Sequence, residues 1–337
     1  MRAFVIDGPG RAGVREVPPP AAEPGQVVVD VERAGLCGTD VEFFTGEMAY
    51  LHQGHAAYPL RPGHEWCGTV TAVGEGVDRA WLGRRVTGDT MLGCGRCRRC
   101  HDGRHHVCED RREIGVRGGW PGALAEQVPV PAGALVPLPD SVGPAAGALV
   151  EPGGNALRAV EAARLEPGER LLVWGPGTIG LLAAMFAAAR GAEVHVVGRD
   201  PASLALARDL GADGAWTVGD LPGQRYDAVV DATNDPDAPR LALEVVEPGR
   251  RLVYIGLAGR PSHIDTRDLA LKDVTAVGIL GGSAGLGGAV ELYAGGRVDP
   301  EPLVAATVGL DQVAGVLAGG RPPGAGRGPK VQVDPRR

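Results

Sequence analysis

The run Arg170-Leu171-Leu172-Val173-Trp174-Gly175-Pro176-Gly177-Thr178-Ile179-Gly180 decides the fold. An apolar strand ends at Trp174 and a G-x-G-x-x-G turn follows directly. Residues 181–190 then read as an alanine-rich apolar helix, and residues 193–197 as a second strand. Strand, glycine turn, helix and strand within one βαβ unit are the context in which such a turn binds a dinucleotide. The first glycine permits the tight turn, the second lets a pyrophosphate approach the backbone, and the third lets helix and strand pack closely. The helix N-terminus then stabilises the phosphate charge. Gly175, Pro176, Gly177, Thr178, Ile179 and Gly180 are therefore candidate cofactor-binding residues.

Working outward, the end of the second strand chooses between the two nicotinamide dinucleotides. An acidic side chain there binds the ribose 2′-OH of NAD, whereas an arginine accommodates the 2′-phosphate of NADP. Here Val197 is followed by Gly198, Arg199, Asp200 and Pro201. Gly198 stands where the acid is sought, and Arg199 suits a bidentate phosphate contact. Asp200 before Pro201 reads as a helix N-cap with proline at the first helical position, and Gly211 closes that helix. The expectation is NADP rather than NAD, with Asp200 structural.

The alternation continues through strands at 226–231, 251–256 and 274–280. Ala232-Thr233-Asn234 and Ile255-Gly256-Leu257 fall at strand ends, where an open parallel sheet binds its ligand. Before residue 150 the pattern differs: short β-rich runs at 14–17, 27–31, 68–73 and 128–130, cut by glycine and proline, read as a compact β-barrel-like domain. Residues 330–333 could rejoin it as a last strand. The fold class is α/β, with a doubly wound parallel-sheet domain at 151–295 and a catalytic β domain built from 1–150 and 296–337. The cleft between them is the expected meeting place of cofactor and substrate.

The 337 residues are enough for two cores, and 54 glycines and 28 prolines favour turns and short strands. A net charge of −7 argues against a general nucleic-acid binder. Lys272 and Lys330 are the only lysines in an arginine-rich chain. The first residues are interrupted by charge and glycine before a signal core could form, and the longest apolar run is too short to span a bilayer. The expected location is the cytoplasm, with no membrane partner.

Two groups of residues suit metal. Arg61-Pro62-Gly63-His64-Glu65-Trp66-Cys67-Gly68 sets an imidazole beside a carboxylate. With Cys37 upstream and Glu151 downstream the chain offers a sulfur, a nitrogen and carboxylate oxygens that Zn²⁺ accepts, with an open position as in catalytic sites. The residues alone equally allow His64 as a hydrogen-bonded turn histidine and Cys37 as a small buried hydrophobe. Thr39 leaves two roles open that are compatible: N-cap of a short helix at 40–44, or a hydroxyl that passes a proton from an oxygen bound at the same metal. Cys94, Cys97, Cys100 and Cys108 are spaced to close a tetrahedral shell with no open position, so a zinc there holds a loop together. An iron–sulfur cluster also uses four cysteines, but nothing around these serves electron transfer. His101, His105 and His106 read as surface residues.

Together these motifs resemble the zinc-dependent medium-chain dehydrogenase/reductase superfamily over essentially the whole chain. The resemblance rests on Gly35-Leu36-Cys37-Gly38-Thr39-Asp40, Gly63-His64-Glu65, the four-cysteine lobe at 94–108, Glu151-Pro152 and the turn at 175–180. It implies a GroES-like catalytic domain beside a Rossmann domain, and two zincs per chain. Cys37 and His64 become catalytic zinc ligands, and Glu65 and Glu151 match the positions that supply the remaining ligation in polyol, threonine and glucose dehydrogenases. Thr39 and Glu42 become the proton route to solvent, with His52 and His55 as less direct carriers; many members carry a histidine where this chain has Glu42. Gly153-Gly154-Asn155 replaces bulkier apolar residues, a change expected to reshape the pocket. The implied function interconverts a secondary alcohol of a polyol, cyclitol or sugar with its ketone, in a homodimer or homotetramer. An aldose 1-dehydrogenase giving a lactone is the enzymatic alternative, and a non-catalytic nucleotide-binding scaffold the alternative of another class.

Overall fold

A computed structural model describes residues 1–337. The chain divides into two compact units: Met1–Glu151 with Val304–Gly326 and Lys330–Arg337, and Pro152–Leu303 with Arg327–Pro329.

The second unit is built on a six-stranded sheet, parallel throughout. Its order is Gly214–Trp216, Glu193–Val197, Arg170–Trp174, Tyr226–Asp231, Val246–Tyr254, Thr275–Gly278. Numbered along the chain this is 3-2-1-4-5-6, the doubly wound order whose switch point lies between the first and fourth strands. Leu171, Leu172 and Val173 are wholly buried, as strands covered on both faces require. The helix Thr178–Ala188 buries Leu181, Leu182, Ala183, Phe186 and Ala187, and its alanines let it lie close to the sheet. The edge strand Thr275–Gly278 leaves Thr275, Ala276 and Gly278 exposed.

The first unit carries a seven-stranded, mostly antiparallel sheet. Its centre is the strand Gln26–Gly35, paired with Glu65–Val73, Gln127–Pro131 and Lys330–Val333. Trp66, Phe4, Phe43, Ile6, Ile114 and Leu124 fill its core. The last strand, Lys330–Val333, therefore lies beside Gln26–Gly35, whose final residue is only two short of Cys37. No helix is long and apolar enough to cross a membrane.

Candidate active site

Cys37 sits at the end of the central strand and caps a helix, Gly38–Thr45. That helix begins two residues earlier than expected, so Cys37 takes the N-cap and Thr39 is the second helical residue rather than the cap. The correction has a local cause: Asp40, in the first turn, reaches back to accept from Cys37 N at 2.9 Å and so fixes the start. His64 precedes the strand Glu65–Val73, and Gly63 before it adopts φ +101°, which favours glycine. The two segments meet with Cys37 Sγ 3.0 Å from His64 Nε2, and the ligand atoms of Cys37, His64 and Glu65 all lie within 4.8 Å of one another.

Asp40, fully buried, ties the group together. Besides Cys37 N it accepts from Gly63 N at 3.3 Å, and its Oδ1 lies 3.9 Å from His64 Nδ1. Metal-ligating imidazoles commonly hand their second ring N–H to a carboxylate; here His64 Nδ1 is buried without a hydrogen-bond partner, and Asp40 stands beyond hydrogen-bond length from it. Burial raises the Asp40 carboxyl above its ordinary range, opposed by His64. Burial acts to lower the His64 pKa, yet Cys37, Asp40 and Glu151 carry it well above the usual histidine value. A site that demands positive charge at this point satisfies the same demand by holding a cation.

Glu65 is 3% exposed and paired with an equally buried lysine: Lys330 Nζ lies 2.8 Å from Oε1 and 2.7 Å from Oε2. Glu151 opens the helix Val150–Ala163 and is close enough for its charge to act on His64, but its carboxylate stands outside the group of three mutually close ligand atoms. Thr39 and Glu42 are one helical turn apart and so share a face. Burial and Glu47 raise the Glu42 carboxyl above its ordinary range. His52 Nε2 is 3.0 Å from Gly46 O, and His55 packs edge-on against Tyr50. Gly153 and Gly154 serve helix packing: a Cβ on Gly154 would lie 2.8 Å from both Gly282 O and Leu286 Cδ2, and one on Gly153 2.4 Å from Tyr293 Oη. They bring their helix against Leu286–Ala294, a packing requirement in its own right.

In the lobe, Cys94, Cys97, Cys100 and Cys108 bring their sulfurs within 4.8 Å of one another. Cys97 Sγ lies 3.6 Å from Cys100 Sγ and 3.7 Å from Cys108 Sγ. Four thiolates at about 2.3 Å from one tetrahedral zinc would stand about 3.8 Å apart, so the observed spacing fits that ion and excludes disulfides. His105, expected on the surface, is half-buried and binds Asp89 at 2.7 Å.

In the second unit Gly175 takes φ +102°, and a Cβ on Gly180 would lie 1.9 Å from Gly175 O, so the turn closes only without side chains there. Gly177 caps the helix that starts at Thr178, leaving first-turn amides free for an anion. Pro176 and Ile179 complete the turn. A Cβ on Gly198 would lie 2.6 Å from the Pro176 ring, so glycine there is also a packing requirement. Asp200 accepts from Ala202 N at 3.4 Å and Ser203 N at 2.9 Å, the N-cap geometry expected of it. Arg199 is exposed and pairs with Asp235 at 2.7 Å.

Sequence reading missed Lys330 and left Asp40 without a role. The scarcity of lysine was the available signal for the first. An acid three residues after Cys37, placed to reach back to its N–H, was the signal for the second.

Residues 23–140 match the family described as alcohol dehydrogenase GroES-like domain, and residues 178–294 the family described as zinc-binding dehydrogenase. The L-threonine 3-dehydrogenase of Saccharopolyspora erythraea is 34% identical over 296 residues, covering 83% of this chain and 84% of that one. Among solved structures, a provisionally named zinc-binding dehydrogenase of Sinorhizobium meliloti 1021, bound to NADP, superposes with a TM-score of 0.89 at 28% identity over 99% of both chains. A short chain alcohol dehydrogenase of Escherichia coli CFT073, complexed with NADH, gives 0.90 at 26% identity, again over 99% of both.

Proposed function

We propose, from the premise that the chain belongs to the zinc-type medium-chain dehydrogenase/reductase superfamily, that it oxidises a secondary alcohol of a polyol, cyclitol or sugar to the ketone, and runs the reverse. That it is an alcohol or polyol dehydrogenase using zinc and a nicotinamide cofactor follows from the family. The substrate class is the proposal. The observation that carries the reading is the convergence of Cys37, His64 and Glu65, a donor set of sulfur, nitrogen and oxygen that suits zinc.

In this reading Cys37 and His64 hold the catalytic zinc, with Glu65 and Glu151 as the carboxylates available to it. The four cysteines at 94–108 hold a second zinc. When bound, the catalytic zinc polarises the alcohol oxygen and lowers its pKa, and the nicotinamide ring accepts hydride. The protein's own groups orient the parts and move the proton. Asp40 ties the segment before His64 to that of Cys37, and the Thr39 hydroxyl takes the substrate proton and passes it towards Glu42, one helical turn on. The turn Gly175 to Gly180 cradles the pyrophosphate.

Arg199 selects NADP. An exposed ion pair such as Arg199–Asp235 contributes little, so the guanidinium turns to a 2′-phosphate at small cost, while Asp200 is committed to its helix. The exposed edge strand Thr275–Gly278 supports a homodimer or homotetramer, and the enzyme is placed in the cytoplasm.

The test is absorbance of reduced nicotinamide with zinc-loaded protein, NAD and NADP in parallel, over polyols, aldoses, cyclitols and aminocyclitols. A ketone product with NADP bears the reading out, and a lactone from an aldose replaces its substrate class. Arg199→Ala should lower the preference for NADP by about tenfold or more, the worth of one charge-assisted contact. Turnover with NAD alone would reassign Asp200 to the ribose.

A further inference from the structure

Among the half-buried arginines, Arg61 alone has a guanidinium that meets no acceptor. Its Nε is wholly buried without a hydrogen-bond partner, and no acid pairs with it. The others do not share this state: Arg33, Arg85 and Arg170 bind acids, Arg251 binds a carbonyl oxygen, and Arg117 lies over the Tyr50 ring. Burial pushes the Arg61 pKa down to about 10, so the group keeps its charge at neutral pH. A charge withdrawn from water without a partner costs stability, a cost that recurs where binding needs it.

The position of Arg61 points to the substrate. It opens the segment Arg61-Pro62-Gly63-His64, which reaches the His64 ligand within about 11 Å of extended chain. That segment is clamped along its length: Gly122 N donates to Arg61 O at 2.8 Å, Leu124 N to Pro62 O at 3.1 Å and Ala123 N to Gly63 O at 2.8 Å, while Asp40 accepts from Gly63 N. The guanidinium therefore hangs from a backbone whose distance to the ligand cluster is fixed. Only Nε is sealed off, so the two terminal nitrogens remain open to a ligand. Their N–H groups match the paired oxygens of a carboxylate or a phosphate.

We propose that Arg61 binds an anionic group, carboxylate or phosphate, carried by the substrate several bonds from the reacting alcohol, so that anionic polyols or sugar derivatives are taken in preference to neutral ones. The inference deepens the dehydrogenase reading above and rests on it for the place of the reacting carbon.

Two measurements on zinc-loaded, full-length protein test it. The first reads turnover, with NAD and with NADP, of a hexitol, the aldonate of the same carbon skeleton and the hexitol 1-phosphate, in wild type, Arg61→Lys and Arg61→Gln. Wild type should favour an anionic member over the neutral one by about tenfold or more in kcat/KM, and Arg61→Gln should erase that ratio, chiefly through KM, with Arg61→Lys in between. Preference for the aldonate alone assigns a carboxylate, and preference for the phosphate alone a phosphate. A ratio near one in wild type, or one that survives in Arg61→Gln, would overturn the proposal.

The second is thermal melting with cofactor at saturation, so that the glycine turn is already filled, in low-salt buffer and with succinate or inorganic phosphate added. Without added anion Arg61→Met should melt about 2 °C or more above wild type, because it removes an uncompensated charge. Succinate or phosphate should raise the melting point of wild type and not that of Arg61→Met. A lower melting point in Arg61→Met, or the same response to anions in both proteins, would overturn the proposal whether or not any panel member turns over. An anion response lost in Arg61→Met, without turnover of any member, would instead sink the polyol reading and leave the anion site standing.

Discussion

The four-cysteine lobe and the Cys37–His64–Glu65 group both have the donors to hold a metal ion, and they are assembled in opposite ways. The lobe takes its sulfurs from residues 94 to 108, through tight turns and two single-turn helices, and three of its four cysteines are only half-buried. The other set gathers residues 37, 64 and 65 with Lys330 from the far end of the chain, and Glu65, Lys330 and Asp40 are each at most 3% exposed. The difference suits the two tasks proposed for them. A closed shell of four thiolates needs only spacing. A shell that keeps a position for substrate needs buried charges whose competition sets what each group can do, and only packed elements keep water away from them.

The largest test of this contrast is His64→Ala. Turnover should fall to the detection limit while far-ultraviolet circular dichroism stays native and the lobe keeps its zinc. Wild-type turnover in that variant would break the assignment of the buried set as the reactive one. Cys97→Ser should do the converse: zinc falls by one per chain and stability by about 3 kcal/mol in thermal melts, while the folded fraction turns over within a few-fold of wild type. If turnover vanishes as well, the two sets are coupled, and the route is visible. His105 binds Asp89 at 2.7 Å, and the next residue, Thr90, donates its hydroxyl to His64 O at 3.0 Å.

The glycine turn sides with the lobe as a locally assembled site. Gly180→Ala places a methyl against Gly175 O, so the turn must open at a cost of about 2 kcal/mol, read as weaker nucleotide binding in a titration. The smallest effect lies outside every site. His195 is buried with Nδ1 2.8 Å from Gln224 Nε2 and Nε2 3.1 Å from Glu193. Burial lowers its pKa below the ordinary value of 6.5, against the pull of Glu193. The unfolded chain therefore takes the proton first as the pH falls, so this stability is present above pH 6.5 and lost below it. Melting at pH 7.5 and 5.5 should show a smaller acid loss in His195→Asn than in wild type, separating this part from acid release of metal.

What could be read without the fold was whatever repeats a local rule. The glycine turn is legible because strand, turn and helix occupy consecutive residues, and the all-parallel sheet around it follows from the same alternation. Asp200 was read as an N-cap from Pro201 after it and Gly211 at the end of the helix, and the geometry agrees. Thr39 was misplaced by two helical positions because the residue that sets the helix start, Asp40, does so by reaching backwards. The packing role of Gly153 and Gly154 was not legible because their partners, Tyr293 and Leu286, lie more than a hundred positions away.

The sequence by itself determined the parallel-sheet unit with its nucleotide turn and the four-cysteine loop. The tertiary structure alone decided that Glu65 is bound to Lys330, that Glu151 stands apart from the three close ligand atoms, and that Asp40 holds the His64 and Cys37 segments together. The physical reason is one of range. Backbone propensity, capping and thiolate spacing act over a few residues, whereas Lys330 and Glu65 are 265 positions apart and meet only because the strands Lys330–Val333 and Glu65–Val73 both pair with Gln26–Gly35.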